Sequence, residues 1–514
     1  MSEVNTPELP ANWERSTIGV VVEEKVSQSG PTAGDEFTYV DISSIDNRTK
    51  RIISPKAIRR EEAPSRARQV LETGDVLVSM TRPNLNAVAL IASDLDQSIG
   101  STGFDILRSK FAEPFWLFYA VQTNDFVQAM CRAVQGALYP AVRPHDIRSY
   151  LISLPPLAEQ RRIVAKLEEL FSDLDAGVAA LERAKVKLKR YRAAVLKAAV
   201  EGRLTAEWRE KHPATEPASE LLDRILAERR KRWEADQEAR FAAAGKTPPK
   251  NWREKYVEPT PPDASNLPEL PGDWCWATVE QLLETGPQNG AYYPKTMYGD
   301  GIPILRIDDY QQFWSRASEE AQCVDAPTSD RMTYGLMNHD LLINRVNSLT
   351  HLGKVLLVES RHLPAIFESN MMRLRFGESL VASFLRDYLR SPAGVQRLTA
   401  NAKWAVNQAS INQQDVQAVP VPLPPLVEQE RIASEIEYRL SVISMAEKQI
   451  IANFQRAIRL RQSILKQAFA GKLVPQDPHD EPASVLLERI RAERKGGTMD
   501  GAKKPRRIRN KPQE

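Results

Sequence analysis

Gly245-Lys246-Thr247, near the middle of the chain, ends like a phosphate-binding loop. Such a loop cradles phosphates with backbone N–H groups and needs a glycine five residues earlier, but Arg240 stands there and Pro248-Pro249 follow where a helix would have to start. An ATP site is therefore not expected. No Gly-x-Gly-x-x-Gly turn is present, and no Asn/Asp-Pro-Pro-aromatic tetrapeptide of the adenine-methyltransferase type. The six histidines (His145, His212, His339, His351, His362 and His479) show neither HxxxH nor cysteine-paired spacing, so no metal centre is expected. Cys131, Cys275 and Cys323 are too widely separated for a disulfide framework or a Cys-rich zinc site, which favours a reducing cytoplasm. Nothing marks out a catalytic pair among the 67 acidic residues. The chemistry-bearing residues describe a non-catalytic recognition protein with no catalytic, cofactor or metal site of its own.

A chain of 514 residues, 42% of them apolar, has material for three or more globular units with real cores. No apolar run approaches the roughly 20 residues that cross a bilayer, and the opening Met1-Ser2-Glu3-Val4 lacks the pattern of a signal peptide, so neither a membrane nor a secreted protein is expected. The net charge of +3 hides an asymmetry: Arg494 to Glu514 holds eight basic and two acidic residues, leaving the remainder at −3. Any affinity for nucleic acid must come from local patches, from that tail, or from partners.

The chain repeats itself. Leu154-Pro155-Pro156-Leu157-Ala158-Glu159-Gln160-Arg161-Arg162-Ile163-Val164 returns as Leu423-Pro424-Pro425-Leu426-Val427-Glu428-Gln429-Glu430-Arg431-Ile432-Ala433, with eight of eleven positions identical. The offset of 269 holds without a gap for about fifty residues, carrying Arg190, Arg192, Gly202 and Leu204 onto Arg459, Arg461, Gly471 and Leu473. Glu216-Pro217-Ala218-Ser219 returns at Glu481-Pro482-Ala483-Ser484, and Leu9-Pro10-Ala11-Asn12-Trp13 matches Leu270-Pro271-Gly272-Asp273-Trp274. Residues 14–153 and 275–422 share only scattered signals, such as Gly74-Asp75-Val76-Leu77-Val78 beside His339-Asp340-Leu341-Leu342-Ile343. Two copies thus each pair a variable globular segment with a repeated helical one, the pattern of two readers on a common frame.

The repeated segments read as long helices, with prolines before the start and glycine at the end. In the first, apolar residues recur at Ile163, Leu167, Leu170, Leu174, Gly177, Leu181, Ala184, Leu188, Tyr191, Val195 and Ala198; in the second at Ile432, Ile436, Ile443, Ala446, Ile450, Asn453, Ala457, Leu460 and Ile464. These heptad seams predict that the two helices pack on each other within one chain, an antiparallel pairing putting the globular segments at opposite ends; the alternatives are helices each packed on its own domain, or a dimer of chains. At 1.5 Å per residue each rod is about 65–70 Å long. Residues 217–244, highly charged with balanced signs, read as a solvated helix or a partner surface, and the prolines from Pro248 to Pro271 as a stiff extended linker. The expected fold class is α+β: two variable globular segments separated by an intramolecular antiparallel coiled coil of two long helices, duplicated about a pseudo-twofold. The expected bounds are 1–153 and 269–422 for the globular segments, 154–204 and 423–473 for the long helices, 205–268 for a charged helix and linker, and 474–514 for a short helix and basic tail.

The Leu-Pro-Pro-Leu-x-Glu-Gln blocks at Leu154–Gln160 and Leu423–Gln429, each heading a long helix and each preceded by a variable segment and a Leu-Pro-x-x-Trp opening, resemble the specificity subunit of Type I restriction-modification systems. The resemblance covers nearly the whole chain. It implies a cytoplasmic prokaryotic protein in which each variable segment is a target recognition domain of mixed α/β fold that reads one half of a bipartite, asymmetric site on double-stranded DNA while the helical pair sets the spacer. Two modification (methyltransferase) subunits would methylate adenine at N6, and ATP-dependent restriction subunits would cleave unmodified DNA. S-adenosylmethionine, ATP and Mg would reside on those partners and none in this chain. The alternative is an anti-restriction or assembly scaffold protein without sequence-specific reading.

Under this resemblance the base readers are Arg, Asn and Gln side chains on loops, which can make paired hydrogen bonds to guanine or adenine edges. The candidates are Ser79, Arg82, Asn84, Asn86 and Gln135 in the first segment. In the second they are Gln288, Asn289, Asn344, Arg345, Asn347, Lys403, Asn407 and Gln408. Each could instead cap a turn or touch a phosphate. Trp116, Phe118, Trp314 and Trp404 are expected in cores. Glu159 and Glu428 sit in a first helical turn, where a carboxylate meets the positive helix end; docking of the Glu-Gln pairs on the modification subunits is the functional alternative.

Overall fold

The computed structural model describes residues 8–28, 36–134, 140–311, 314–348, 351–405 and 408–497, with side chains described up to Arg494. The chain divides into two compact units, Met1–Glu182 with Ile451–Glu514, and Arg183–Ile450. The repeated blocks form two helices of 44 residues each, Leu157–Val200 and Leu426–Phe469.

In the first unit, strand Glu14–Thr17 pairs antiparallel with Leu151–Leu154, so the start of the globular head lies beside the strand that leads into its long helix. The head's centre is an antiparallel sheet ordered Phe104–Leu107, Val76–Ser79, Val88–Leu90. Val76–Ser79 is buried throughout, as expected of a central strand covered on both faces. A four-stranded mixed sheet of Lys56–Arg59, Glu36–Val40, Ile99–Ser101 and Ala67–Val70 has its strands before and between those of the central sheet in chain order. The main core joins this head to both long helices: Ile163, Leu167 and Phe171 from the first cluster with Ile464, Leu465 and Ala468 from the second.

The second unit follows the same plan. Cys275–Thr278 pairs with Pro420–Leu423, and the central sheet is ordered Leu283–Asn289, Met371–Phe376, Leu341–Asn344, Val355–Leu357. Here Leu196 and Ala199 cluster with Ile432 and Ile436. In both units the beginning of one long helix meets the end of the other, which is the antiparallel arrangement.

The seam departs from the expected one in detail. Ile163, Leu167, Ile432, Ile436, Ile443, Ile450 and Ile464 are buried; Leu170, Leu174, Leu181 and Leu188 are half-buried; Leu460 is 46% exposed. Arg461 takes the place expected for Leu460, because the apolar period steps four residues on from Ala457 and not three. Its guanidinium lies 4.2 Å from the Phe171 ring centre, a cation–π contact that lets a charged residue occupy an apolar seam. Likewise Phe171 is buried where Leu170 was expected, and Tyr191 is 47% exposed.

The heads are more alike than their sequences. Asp75 and Asp340, both 1% exposed, open equivalent central strands. Arg108 donates to both carboxylate oxygens of Asp75 at 2.8 Å, and Arg375 to both of Asp340 at 2.7 Å. Each carboxylate also accepts a backbone N–H, from Glu72 and Met337 respectively, at 2.8 Å. A buried bidentate pair with its remaining lone pair satisfied is costly to break and fixes the strand's register.

The linker does not run extended as expected. Helix Ala218–Ala243 buries Leu221 and Ile225 on the second unit, and the chain then returns along it: the rings of Trp233 and Trp252 stack at 5.8 Å, and Arg253 pairs with Glu234. Trp252 is 6% exposed, so burial of one indole outweighs the proline-rich segment's preference for extension.

Candidate nucleic-acid interface

The Glu-Gln pairs are framework. All four residues are at most 2% exposed. Glu159 accepts from Trp13 Nε1 at 2.9 Å, and Glu428 from Trp274 Nε1 at 2.8 Å, so each opening tryptophan is tied to the head of its own helix. Gln160 accepts from the N–H of Glu113 and donates to the carbonyl of Pro155; Gln429 does the same with Val381 and Pro424, all at 2.9 Å. The repeat exists because each half needs the same joint.

The long helices end symmetrically too. Gly202 and Gly471 have φ of +67° and +68°, and a Cβ at either would collide with the ring of Pro271 or Pro10. Only glycine fits such a left-handed helix end pressed on a neighbour. Beyond them, Ala218 N–H donates to Asp273 O and Ala483 N–H to Asn12 O; Arg229 caps the carbonyls of Glu280 and Leu283, while Arg494 caps those of Gly19, Val20 and Val22.

On this shared frame the exposed polar ends differ. In the first head, strand Val76–Ser79 runs into a loop in which Arg82 and Asn86 both adopt left-handed backbone (φ 49° and 45°) around a short 3-10 turn, Pro83–Leu85. Arg82 and Asn84 are exposed and Asn86 half-exposed. Arg82 N–H donates to Pro140 O; Gln135 lies outside the described residues. Ser79 is 5% exposed and its Oγ donates to Thr81 O at 3.0 Å, so it closes a turn and is corrected to a structural position.

Lys50 supports this loop from below, donating to Asn86 O at 2.5 Å. Burial, reinforced by the nearby charge of Arg461, holds Lys50 down to about 8, below the ordinary 10.5. The folded chain gives up this proton before the unfolded chain does, so the contribution of Lys50 to stability improves as pH rises through about 8 and levels off above its ordinary value. An Nζ resonance of Lys50 titrating near 8 is the expected result; a midpoint with the solvent-exposed lysines would show that the loop's support is not buried. No sequence signal marked Lys50.

In the second head the candidates divide. Val346–Asn347, Gln408–Ser410 and Lys403–Ala405 form a three-stranded sheet that brings Asn347, Lys403 and Gln408 together, with Lys403 and Gln408 exposed; Asn407 lies outside the described residues. Trp404, between them, is 68% exposed and Trp314 52%, which corrects their expected place in cores; Trp116 and Phe118 are buried. Gln288 accepts from Arg373 and is thereby committed inside the head. Asn344 is fully buried, donating to His351 O at 3.1 Å, and Arg345 donates to Ser369 O at 3.1 Å. Asn289 Oδ1, Asn344 Oδ1 and Arg345 Nε are buried without a hydrogen-bond partner among the described residues. Asn289 and Asn344 flank neighbouring residues of one strand, pairing with Met372 and Met371.

Among the described residues, no group of three or more His, Cys, Asp or Glu could hold a metal ion, and no helix is long and apolar enough to cross a membrane.

Residues 35–183 match the Type I restriction modification DNA specificity domain. The chain is 25% identical to the Type I restriction enzyme StySPI specificity subunit of Salmonella potsdam, over 98% of this chain and 99% of that protein. It is 27% identical to the EcoKI specificity subunit of Escherichia coli K12, over 96% and 99%. A chain solved in work on complex assembly and conformational transition of the type I R-M system aligns with a TM-score of 0.63 at 27% identity, covering 91% of this chain and 100% of that one. Frame and likeness together define a class, a recognition protein of two domains joined by a helical pair. Over nearly its whole length the chain is similar to specificity subunits of Type I restriction-modification systems.

Proposed function

We propose that each head reads one half of a split, asymmetric sequence on double-stranded DNA and that the helical pair sets the unread gap. The observation that carries this reading is the contrast between a frame whose tryptophan–glutamate and glutamine joints repeat in both halves and polar ends, exposed or half-exposed, that share no sequence: Arg82, Asn84 and Asn86 in one head, Asn347, Lys403 and Gln408 in the other. A frame held constant while its tips diverge suits two targets read in one geometry. Half-sites on one side of B-DNA lie about 34–36 Å apart, a distance that stiff helices hold and a flexible linker would blur.

The chain makes no covalent change itself. It hands DNA to two modification subunits that carry S-adenosylmethionine and methylate adenine, and restriction subunits with ATP and Mg act through the same complex in the bacterial cytoplasm. The assembly-scaffold reading is not favoured, because it leaves the divergent polar tips without a task.

Co-expression with the modification subunits of its own system, followed by mapping of adenine methylation across a genome, is expected to reveal one split motif. Arg82→Ala should relax the first half-motif alone, each lost base contact costing about 1–3 kcal/mol. Because the chain outside its basic tail carries −3, the isolated subunit should bind DNA weakly at moderate salt. Methylation without a split motif, or a tight specific gel-shift by the subunit alone, would overturn this reading.

A further inference from the structure

We propose that Gln462 pins the first head against the helical pair and so restricts the complex to one gap length; the inference deepens the function proposed above and rests on it. Gln462 belongs to the second long helix, yet it serves the first head. Its Oε1 accepts from Asn124 N–H at 3.0 Å and its Nε2 donates to Gln122 O at 3.1 Å. Those two backbone groups form the joint where the head's helix Pro114–Ala120 ends and Asn124–Ala133 begins. A side-chain amide bonded at both atoms to one joint fixes position along the helix as well as rotation about it.

The other end of the same head helix is held by Gln160, which accepts from Glu113 N–H. Two glutamines, one from each antiparallel long helix, therefore grip Pro114–Ala120 at its two ends. The adjacent Arg461 adds a second contact in the same direction: its guanidinium covers Phe171, whose ring packs edge-on against Tyr119 of that head helix at 5.5 Å. Sliding the long helices past each other by one turn, about 5.4 Å, would break both bonds of Gln462.

The second head is held differently. Gln429 repeats the grip of Gln160 at the start of helix Ala382–Arg390. At the other end the offset of 269 places Ala193 where Gln462 would be, and its methyl group cannot make either bond. The arginine of the pair repeats, as Arg192, but the amide does not. The first head thus carries a register contact that the second lacks, and its orientation depends on correct alignment of the helix from the other copy.

The test uses the full chain in complex with its modification subunits and duplexes that differ only in gap: the native length, one base pair shorter and one longer. Gln462→Leu, close in size but unable to bond, is expected to lower discrimination between gaps by about tenfold, the loss of two hydrogen bonds, with both half-motifs unchanged. Gln462→Glu keeps the acceptor for Asn124 but sets a carboxylate against Gln122 O, and is expected to relax the gap as well, which covers the case of a poorly folding Leu variant. Unchanged gap discrimination in either folded variant, with the native split motif intact, overturns the pin alone. A native complex that methylates no split motif overturns the pin together with the reading it rests on.

Discussion

Replacing Glu428 with Ala is expected to destabilise the second unit by about 3–5 kcal/mol, the usual cost of removing one partner from a buried charge network. Glu428 Oε2 accepts from Trp274 Nε1 at 2.8 Å, while Oε1 accepts from Thr205 Oγ1 at 2.7 Å and from Arg209 Nη2 at 2.8 Å. Alanine would leave a largely buried guanidinium without its acid and an indole N–H without an acceptor. Glu159→Ala should be milder. Its carboxylate meets Trp13 and Gln476 but no hydrogen-bonding arginine, and burial pushes its pKa above the ordinary carboxyl value. In denaturant unfolding followed by tryptophan fluorescence, Glu428→Ala should move one transition to lower denaturant and leave the other in place. An unmoved transition would mean that the repeated glutamates do not hold the joints.

The second large effect concerns length. Four residues inserted at matching places in both long helices add about 6 Å, close to one full helical turn, and keep the seams nearly in phase. If the helices set the gap, the complex should then methylate sites whose half-motifs are unchanged but separated by about one to two more base pairs, since DNA rises about 3.4 Å per pair. Sites with the original gap should lose methylation. Retention of the original gap by a folded variant would count against the helices as the measure of distance.

Much of the frame was legible because long helices advertise themselves: the 269-residue offset, the flanking prolines and the seam all appear in residue order. The heads were less legible. Their shared strand, opened by Asp75 or Asp340, is visible as a faint match, but the partners Arg108 and Arg375 lie 33 and 35 residues on, and no periodicity connects them. The site was read least well. Arg, Asn and Gln were chosen by type, and type cannot separate Arg82, exposed on a left-handed turn, from Gln288, committed to Arg373. Lys50 and Gln462 escaped notice because each acts on a backbone carbonyl or amide, and backbone partners leave no trace in a sequence. The proline-rich linker was misjudged for the opposite reason: local stiffness was obvious, while the indole stack that folds it back was not.

The segment from Gly471 to Arg494 packs on residues Pro10 to Val22, and the second long helix completes the core of the first head. As a nascent polypeptide leaves the ribosome, the head made first therefore emerges without Ile451–Glu514, about a quarter of the residues of its unit. The second unit, continuous from Arg183 to Ile450, has all its parts much sooner. The unit begun first is thus the one completed last.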